Sequence, residues 1–160
     1  MGHDAVGDDA ETVTGDGGGA LNLGLLCFIA FRALETRVFE ALAEAGYEDL
    51  TVAQGRIAAR IGPDGARITE LAEAAQVTKQ TAGFLVDQLE KSGYVRRVPD
   101  PADGRARLVR FTERGEGVIA VARRVEVEVE AEWTKHLGKR GAEQLRTQLT
   151  RLREITDPYQ

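Results

Sequence analysis

The sequence predicts a mainly α-helical (α+β) protein with one small β-hairpin, built as a winged helix-turn-helix between long N- and C-terminal helices. Three observations support this fold class. Two short capped helical segments follow each other across a tight turn, an alternating pair of strands comes next, and long apolar stripes flank both. The 160 residues suit one domain, and the 42% hydrophobic content is enough for a core.

Residues 1–19 are predicted to form a disordered, acidic, glycine-rich tail. The run Gly15–Gly19 follows no strand and lacks the Gly-Lys-Ser/Thr ending of a phosphate loop, which favours a linker. The first twenty residues contain five acids and no base, so the tail accounts for the whole formal charge of −5. The remaining chain is therefore neutral, and local charge decides what it can bind.

The first half of the chain reads as four helices. A long helix runs from Leu21 to about Ala45 and is ended by Gly46, and Thr51 with Gln54 forms a capping box that opens a second helix. The second helix is predicted to end near Ile61, and a turn over 62–65 and a short β segment follow. Two more helices are predicted after them. The first is Glu70–Ala75, capped by Thr69, and the second is Lys79–Lys91, capped by Thr78 and ended by Gly93.

The second half reads as a hairpin and two helices. Strands Tyr94–Val98 and Arg105–Phe111 enclose a long loop, and this region carries five arginines against two aspartates. A long helix then runs from Thr112 to about Leu137, with a break over 138–141. The apolar stripes exceed what a small winged helix can cover, which predicts a homodimer; packing within one chain is the alternative. The stripe residues are Val125, Val129, Trp133, Leu145, Leu149 and Leu152.

The second short helix suits the major groove of DNA. Its apolar residues repeat at helical spacing and must face the core: Ala82, Leu85, Val86 and Leu89. The outward face then carries Lys79, Gln80, Gly83, Phe84 and Asp87. Gln and Lys hydrogen-bond base edges, threonine hydroxyls reach phosphates, and an outward phenyl ring meets a thymine methyl. A merely solvated, well-capped first turn is the plainer alternative.

The hairpin adds a second contact. An arginine at its tip, Arg105, can enter the minor groove, where narrow stretches concentrate negative potential. Asp103 is expected to hold the guanidinium of Arg105 or Arg107 by a charge-assisted bond. The alternative is an inconsequential surface ion pair.

The run from Ile68 to Gly115 resembles the MarR family of transcriptional regulators. Its Leu-Val-Asp-Gln-Leu-Glu stretch, the Gly-Tyr-Val after it, the Asp-Pro-Ala-Asp-Gly-Arg wing and the Phe-Thr-Glu-Arg-Gly exit come in the family's order. The resemblance implies a homodimer on a pseudo-palindromic double-stranded DNA operator. It also implies a repressor released by a small aromatic or phenolic effector, bound between the dimer helices and the winged helix.

The resemblance also implies boundaries and contact residues. Residues 20–160 form one domain, with dimerisation helices at 20–46 and 112–156 and the winged helix-turn-helix at 51–111. The DNA contacts that the resemblance implies are Thr78, Lys79, Gln80, Thr81, Gly83 and Phe84, with Arg105 in the wing. The wing residues themselves add Asp103 and Arg107 to the candidate site. The family often has a small polar residue and then arginine where this chain has Gly83-Phe84, so an operator preference does not transfer.

Cys27 is the chain's one cysteine and lies in an apolar stretch of the first helix. The stretch is similar to the one that holds the reactive cysteine of the organic-hydroperoxide-sensing branch of the family. A thiol-based peroxide sensor is therefore one alternative. The apolar neighbours favour an inert, buried thiol instead.

Other classes of protein receive little support. His3 and His136 stand alone, which predicts no metal site, and no catalytic set or cofactor motif is present. The longest apolar run, Ala20–Phe31, is too short for a membrane span, and a cytoplasmic protein is expected. A winged helix that binds a protein partner instead of DNA is the remaining alternative.

Overall fold

The computed structural model describes residues 20–157. The predicted tail, 1–19, lies outside the described residues. In the described part, the helices and strands follow the predicted order: α1 Leu23–Glu44, α2 Val52–Ala58, α3 Ile68–Ala74, α4 Lys79–Lys91, β1 Val95–Asp100, β2 Asp103–Phe111 and α5 Glu113–Thr156. None of these helices has the length and apolar character needed to span a bilayer.

Side-chain caps define most helix starts. The hydroxyls of Thr51, Thr78 and Thr112 accept backbone N–H groups of their first turns, as predicted. The cap predicted at Thr69 is wrong, because α3 begins two residues earlier with Arg67 as its N-cap. There the Glu70 carboxylate, at the third position of the helix, reaches back and accepts the Arg67 N–H at 2.8 Å, as in a capping box.

Two other ends differ from prediction. Helix α2 stops at Ala58 rather than near Ile61. The break expected over 138–141 is confined to Gly138, whose φ of 73° and ψ of 154° are non-helical. A positive φ is accessible to glycine at little cost, so one residue is enough to redirect the chain. Helix α5 is thus two helical segments, 113–137 and 139–156.

The hairpin is tighter than predicted. Strand β1 extends to Asp100 and β2 starts at Asp103, so Pro101 and Ala102 alone connect them, and the long loop is wrong. The Asp100 carboxylate accepts the Ala102 N–H at 2.8 Å and stabilises the turn. Pro99 is tolerated in β1 because this strand pairs on one side only.

The predicted short β segment is a single bridge. Ala66 pairs with Val109 through two backbone hydrogen bonds of 2.8 and 3.1 Å. This bridge ties the chain before α3 to the base of the hairpin.

One core joins the helix-turn-helix, the hairpin and the start of α5. The four inward residues predicted for α4 are all buried. They pack with a cluster that includes Leu42, Ile57, Leu71, Tyr94, Val109 and Val118. Each such side chain contributes roughly 1.5–3 kcal/mol by leaving water, so the orientation of α4 is fixed from several sides.

The terminal helices pack on each other but leave much apolar surface exposed. Val125 and Val129 are buried within the chain, contrary to the expectation that they need a second copy, and Trp133 is half-buried. The exposed apolar residues are Leu21, Leu23, Leu25, Leu26, Phe28, Ile29 and Phe31 near the start of α1, and Val127, Leu137, Leu145, Leu149, Leu152 and Ile155 in α5. An apolar surface of this extent on terminal helices is typical of an interface.

Candidate nucleic-acid interface

The first turn of α4 is well ordered and exposed. The Thr78 hydroxyl accepts the Thr81 N–H at 3.1 Å, and the two hydroxyl oxygens lie 2.9 Å apart. The Thr78 hydroxyl therefore caps the helix and pairs with the Thr81 hydroxyl, and these bonds compete with the phosphate contact expected of both groups. The other N–H groups of this turn and the helix dipole still favour an anion.

The outward face of α4 is as predicted at most positions. Lys79, Gln80 and Thr81 are exposed, and 59% of Phe84 is accessible. Gly83 is half-buried, and a Cβ placed on it would meet no atom within 4 Å. The structure therefore places the six expected contact residues on one accessible N-terminal stretch, with a shallow gap at Gly83.

The last outward residue expected on α4 has another role. Asp87 lies 2.5 Å from the Arg97 guanidinium, which Glu90 also pairs with. Glu90 additionally accepts the Arg97 N–H at 3.0 Å. Two carboxylates thus neutralise one of the five wing arginines and fix the base of the hairpin to α4. The sequence offered a weak signal for this pairing, since Glu90 and Arg97 flank the Gly93 turn.

The tip of the wing carries two exposed arginines. Within residues 20–157, no carboxylate lies within ion-pair distance of Arg105 or Arg107. Arg110, in contrast, donates from Nε to the Asp64 carbonyl at 2.9 Å. A carbonyl carries no net charge, so Arg110 and the exposed Arg96 keep their positive charges towards the base of the hairpin, while Arg105 and Arg107 carry theirs near the turn.

Asp103 does not hold either guanidinium, and that expectation is wrong. Its Oδ1 accepts the backbone N–H of Arg105 at 3.1 Å, because an aspartate at a turn reaches the amide two residues on more readily than a long side chain. The cation nearest to its Oδ2 is Arg67, at 3.9 Å. Asp103 thus orders the Arg105 backbone rather than its side chain.

Arg67 is a residue that the sequence reasoning missed. It sits before α3 and donates from Nε and an Nη to Asp100 at the end of β1, at 2.8 and 2.5 Å. The Ala102 N–H, followed by Arg67, holds the pKa of the Asp100 carboxyl below its ordinary value. Only the tertiary fold brings these two residues together.

A cavity of about 700 Å³ lies between the terminal helices and the winged helix. Its apolar wall includes Phe31, Leu34, Val38, Phe39, Phe111 and Ile119. Glu35 and Arg56 form a two-bond ion pair at its edge, at 2.8 and 3.0 Å. The Arg56 hydrogen bond keeps the pKa of Glu35 below its usual range. Such a volume and lining suit a small organic molecule.

Cys27 is exposed in the described chain, so the expectation of a thiol buried within the subunit is wrong. It lies in the exposed apolar part of α1, beside Leu26 and Phe28. Burial of this thiol would therefore need a covering second copy. In the described residues no group of three metal-ligating side chains is found, and His3 lies outside them.

The two short helices, the exposed recognition helix and the arginine-tipped hairpin define a winged helix-turn-helix protein. The model of the MarR family matches residues 48–106. Helix α4 and most of the hairpin fall in this range. The chain belongs to the MarR family, as its sequence pattern predicted.

Curated relatives include the transcriptional regulator HosA of Escherichia coli. One form is 40% identical over 74 residues, which are 46% of this chain and 53% of HosA; another is 46% identical over 52 residues, 32% and 38% of the two chains. The matched segment thus spans about half or less of these relatives. Family and relatives are regulators of transcription rather than enzymes.

Solved structures match over most of the chain. A crystal structure of MarR is 28% identical, with a TM-score of 0.67 over 85% of this chain and 98% of that one. The regulator Tm0710 of Thermotoga maritima is 30% identical, with a TM-score of 0.56 over 84% and 91%. CouR of Rhodococcus jostii RHA1, bound to p-coumaroyl-CoA, shares the fold at 23% identity, with a TM-score of 0.66 over 86% and 93%.

Proposed function

We propose that this protein is a DNA-binding transcriptional regulator, a repressor that acts as a homodimer on a pseudo-palindromic duplex. The observation that carries the proposal is the pairing of two accessible elements. The first turn of α4 exposes Lys79, Gln80 and Thr81, and the neighbouring hairpin exposes Arg105 and Arg107 without ion-pair partners in the described chain. Together they supply a major-groove reader and a minor-groove arginine.

The exposed apolar surface of α1 and α5 supports the homodimer. A single helix-turn-helix reads a short half-site, and two copies about one helical turn apart read a full operator. The second copy would cover apolar side chains such as Phe28 and Leu149, which water now meets. The base contacts assigned to α4 are Gln80, Lys79 and Phe84, with Thr78 and Thr81 near phosphate and Gly83 allowing close approach.

The test is binding of purified protein to duplexes enriched from a random pool, followed by fluorescence anisotropy at several salt concentrations. Gln80→Ala and Arg105→Ala are each expected to weaken binding by about 1–3 kcal/mol. Arg105→Ala should also make the slope of log K against log salt less negative if the arginine neutralises a phosphate. Arg124→Ala, on an exposed part of α5, is the matched control and should bind normally.

The alternative function, a winged helix that binds a protein, makes the opposite prediction. No enrichment of any duplex and no binding at low ionic strength would overturn the DNA-binding proposal and favour a protein partner. Unchanged affinity in both Gln80→Ala and Arg105→Ala would overturn the contact assignment.

The cavity supports release by a small aromatic or phenolic effector. CouR is a fold relative whose structure contains a phenolic thioester, p-coumaroyl-CoA. A ligand that binds better when the winged helices are displaced would lower operator affinity by that difference in affinity. Adding p-coumarate or its CoA ester to the operator complex tests whether an effector of the phenolic class lowers operator affinity. Ala122→Leu, which narrows the cavity, should reduce any response, whereas Ala120→Leu on the exposed face should not.

A further inference from the structure

The tip of the hairpin is fixed to the helix-turn-helix by one arginine. Arg67, at the N-cap of α3, donates two hydrogen bonds to one oxygen of Asp100, 33 residues away. The Asp100 side chain is 7% exposed, so this pair is shielded from water on the carboxylate side. Shielding makes a charge-assisted bond stronger than it would be at an open surface.

The other oxygen of Asp100 carries the connection into the turn. It accepts the Ala102 N–H at 2.8 Å, and Asp100 is paired with Asp103 across the turn. Asp103 then accepts the N–H of Arg105 at 3.1 Å and lies 3.9 Å from the Arg67 guanidinium. A continuous series of polar contacts thus runs from the start of α3 to the backbone of Arg105.

This contact has no counterpart elsewhere at the tip. An isolated two-stranded hairpin is marginally stable in water. Its base is held by the ion pairs of Arg97 with Asp87 and Glu90 of α4 and by the Ala66–Val109 bridge. Among residues 20–157, Arg67 is the side chain from outside the hairpin that forms an ion pair near the turn. Without it, the turn could swing about a fixed base.

From this geometry we propose that Arg67 is a positioning residue that sets the wing tip, and with it Arg105, relative to the recognition helix. The inference rests on the proposed function. Arg67 itself is occupied by Asp100 and lies close to Asp103, so its charge is already compensated and its contribution to DNA binding is indirect. Preorganisation of Arg105 avoids the entropic cost of ordering a mobile tip when DNA binds.

A double-mutant cycle on an enriched duplex tests this role. In the otherwise unchanged protein, Arg105→Ala is expected to weaken binding about tenfold. In an Arg67→Met background, which keeps an unbranched stem but no donors, the same change should weaken binding less than about twofold, because the arginine is no longer prepositioned. Arg67→Lys should restore part of the coupling, since one ammonium cannot repeat the two-bond geometry.

Gln80→Ala is the matched control for the cycle and should cost the same factor in both backgrounds. If Arg67→Met does not fold, Asp100→Asn removes the charge of the other partner and should uncouple Arg105 in the same way. An equal effect of Arg105→Ala with and without Arg67 would overturn the proposal. Loss of duplex binding by the unmodified protein would instead overturn the proposed function.

Discussion

A close contact between α5 and the hairpin gives a sharp test of the packing. Gly115 lies in the first turn of α5, and a Cβ there would sit 2.1 Å from the Tyr94 carbonyl oxygen and 2.7 Å from a Phe111 ring carbon. The Tyr94 oxygen also accepts the N–H and hydroxyl of Thr112, at 3.0 and 3.2 Å. The backbone there cannot retreat without losing these bonds.

The change in the free energy of unfolding caused by Gly115→Ala is the sum of opposing contributions. Replacing glycine by alanine in a helix gains at most about 1 kcal/mol. Forcing a methyl group into a filled junction costs roughly 1–3 kcal/mol, and weakening each hydrogen bond adds about 1 kcal/mol. We therefore expect Gly115→Ala to lower the free energy of unfolding by about 2–4 kcal/mol once the helix gain is subtracted.

Gly117→Ala is the matched control. Its Cβ would approach the Tyr47 hydroxyl oxygen, at 2.2 Å, but that is the far end of a half-buried side chain that can rotate away. Its change in the free energy of unfolding should stay within about 1 kcal/mol of zero. Urea unfolding followed by far-ultraviolet circular dichroism measures both, at one fixed protein concentration because an assembled protein gains stability with concentration. Equal stability of the two variants would refute the packing argument.

Three further outcomes are expected. The Tyr94 hydroxyl, with Arg114, lowers the pKa of the Asp49 carboxyl from 3.8. The stability that this adds is present above the ordinary carboxyl pKa and is lost as pH falls through the lowered value. Asp49→Asn should therefore be less stable than the unmodified protein at pH 7, and this difference in stability should vanish in acid. A difference that stays constant with pH would contradict the linkage. In the proposed dimer, Phe28→Asp should yield monomers in sedimentation velocity, and an unchanged dimer would contradict the assigned interface. If the proposed dimer covers Cys27, the thiol should react slowly with a thiol reagent in the unmodified protein and quickly in Phe28→Asp. Peroxide should leave operator binding unchanged, and rapid loss of DNA binding on oxidation would favour the peroxide-sensing alternative.

Local chemistry explains why much of the fold was predictable. The cap at Thr78, the helical spacing of Ala82 and Leu85, and the positive φ at Gly93 each depend on residues within a few positions of one another. Their agreement placed α4 and its outward face correctly. The predicted start of α3 was wrong because the threonine was taken as the cap, whereas the Glu70 carboxylate bonds back to the Arg67 N–H and the helix begins two residues earlier.

The missed features are the ones that depend on distant residues. Pro99 and the polar run after it read as a long loop, yet an unpaired strand edge accommodates the proline, and the buried Asp100 tightens the turn. Asp100 can be buried because Arg67 reaches it across 33 positions. Likewise, the Arg110 Nε reaches a carbonyl 46 positions away. No local pattern distinguishes these arginines from the exposed Arg105.

The difference between bonded and exposed arginines changes the electrostatics of the candidate interface. Counting charges gives the hairpin region five arginines and two aspartates. The structure shows that Arg97 is neutralised from α4 and that Asp100 is bound to Arg67 from outside the hairpin. The charge left for a polyanion lies at Arg105 and Arg107 near the turn and at Arg96 and Arg110 towards the base of the hairpin. Because screening limits exposed charges to a range of about 8 Å, the tip arginines act only on phosphates close to the turn, so the position of the wing tip determines where their charge acts.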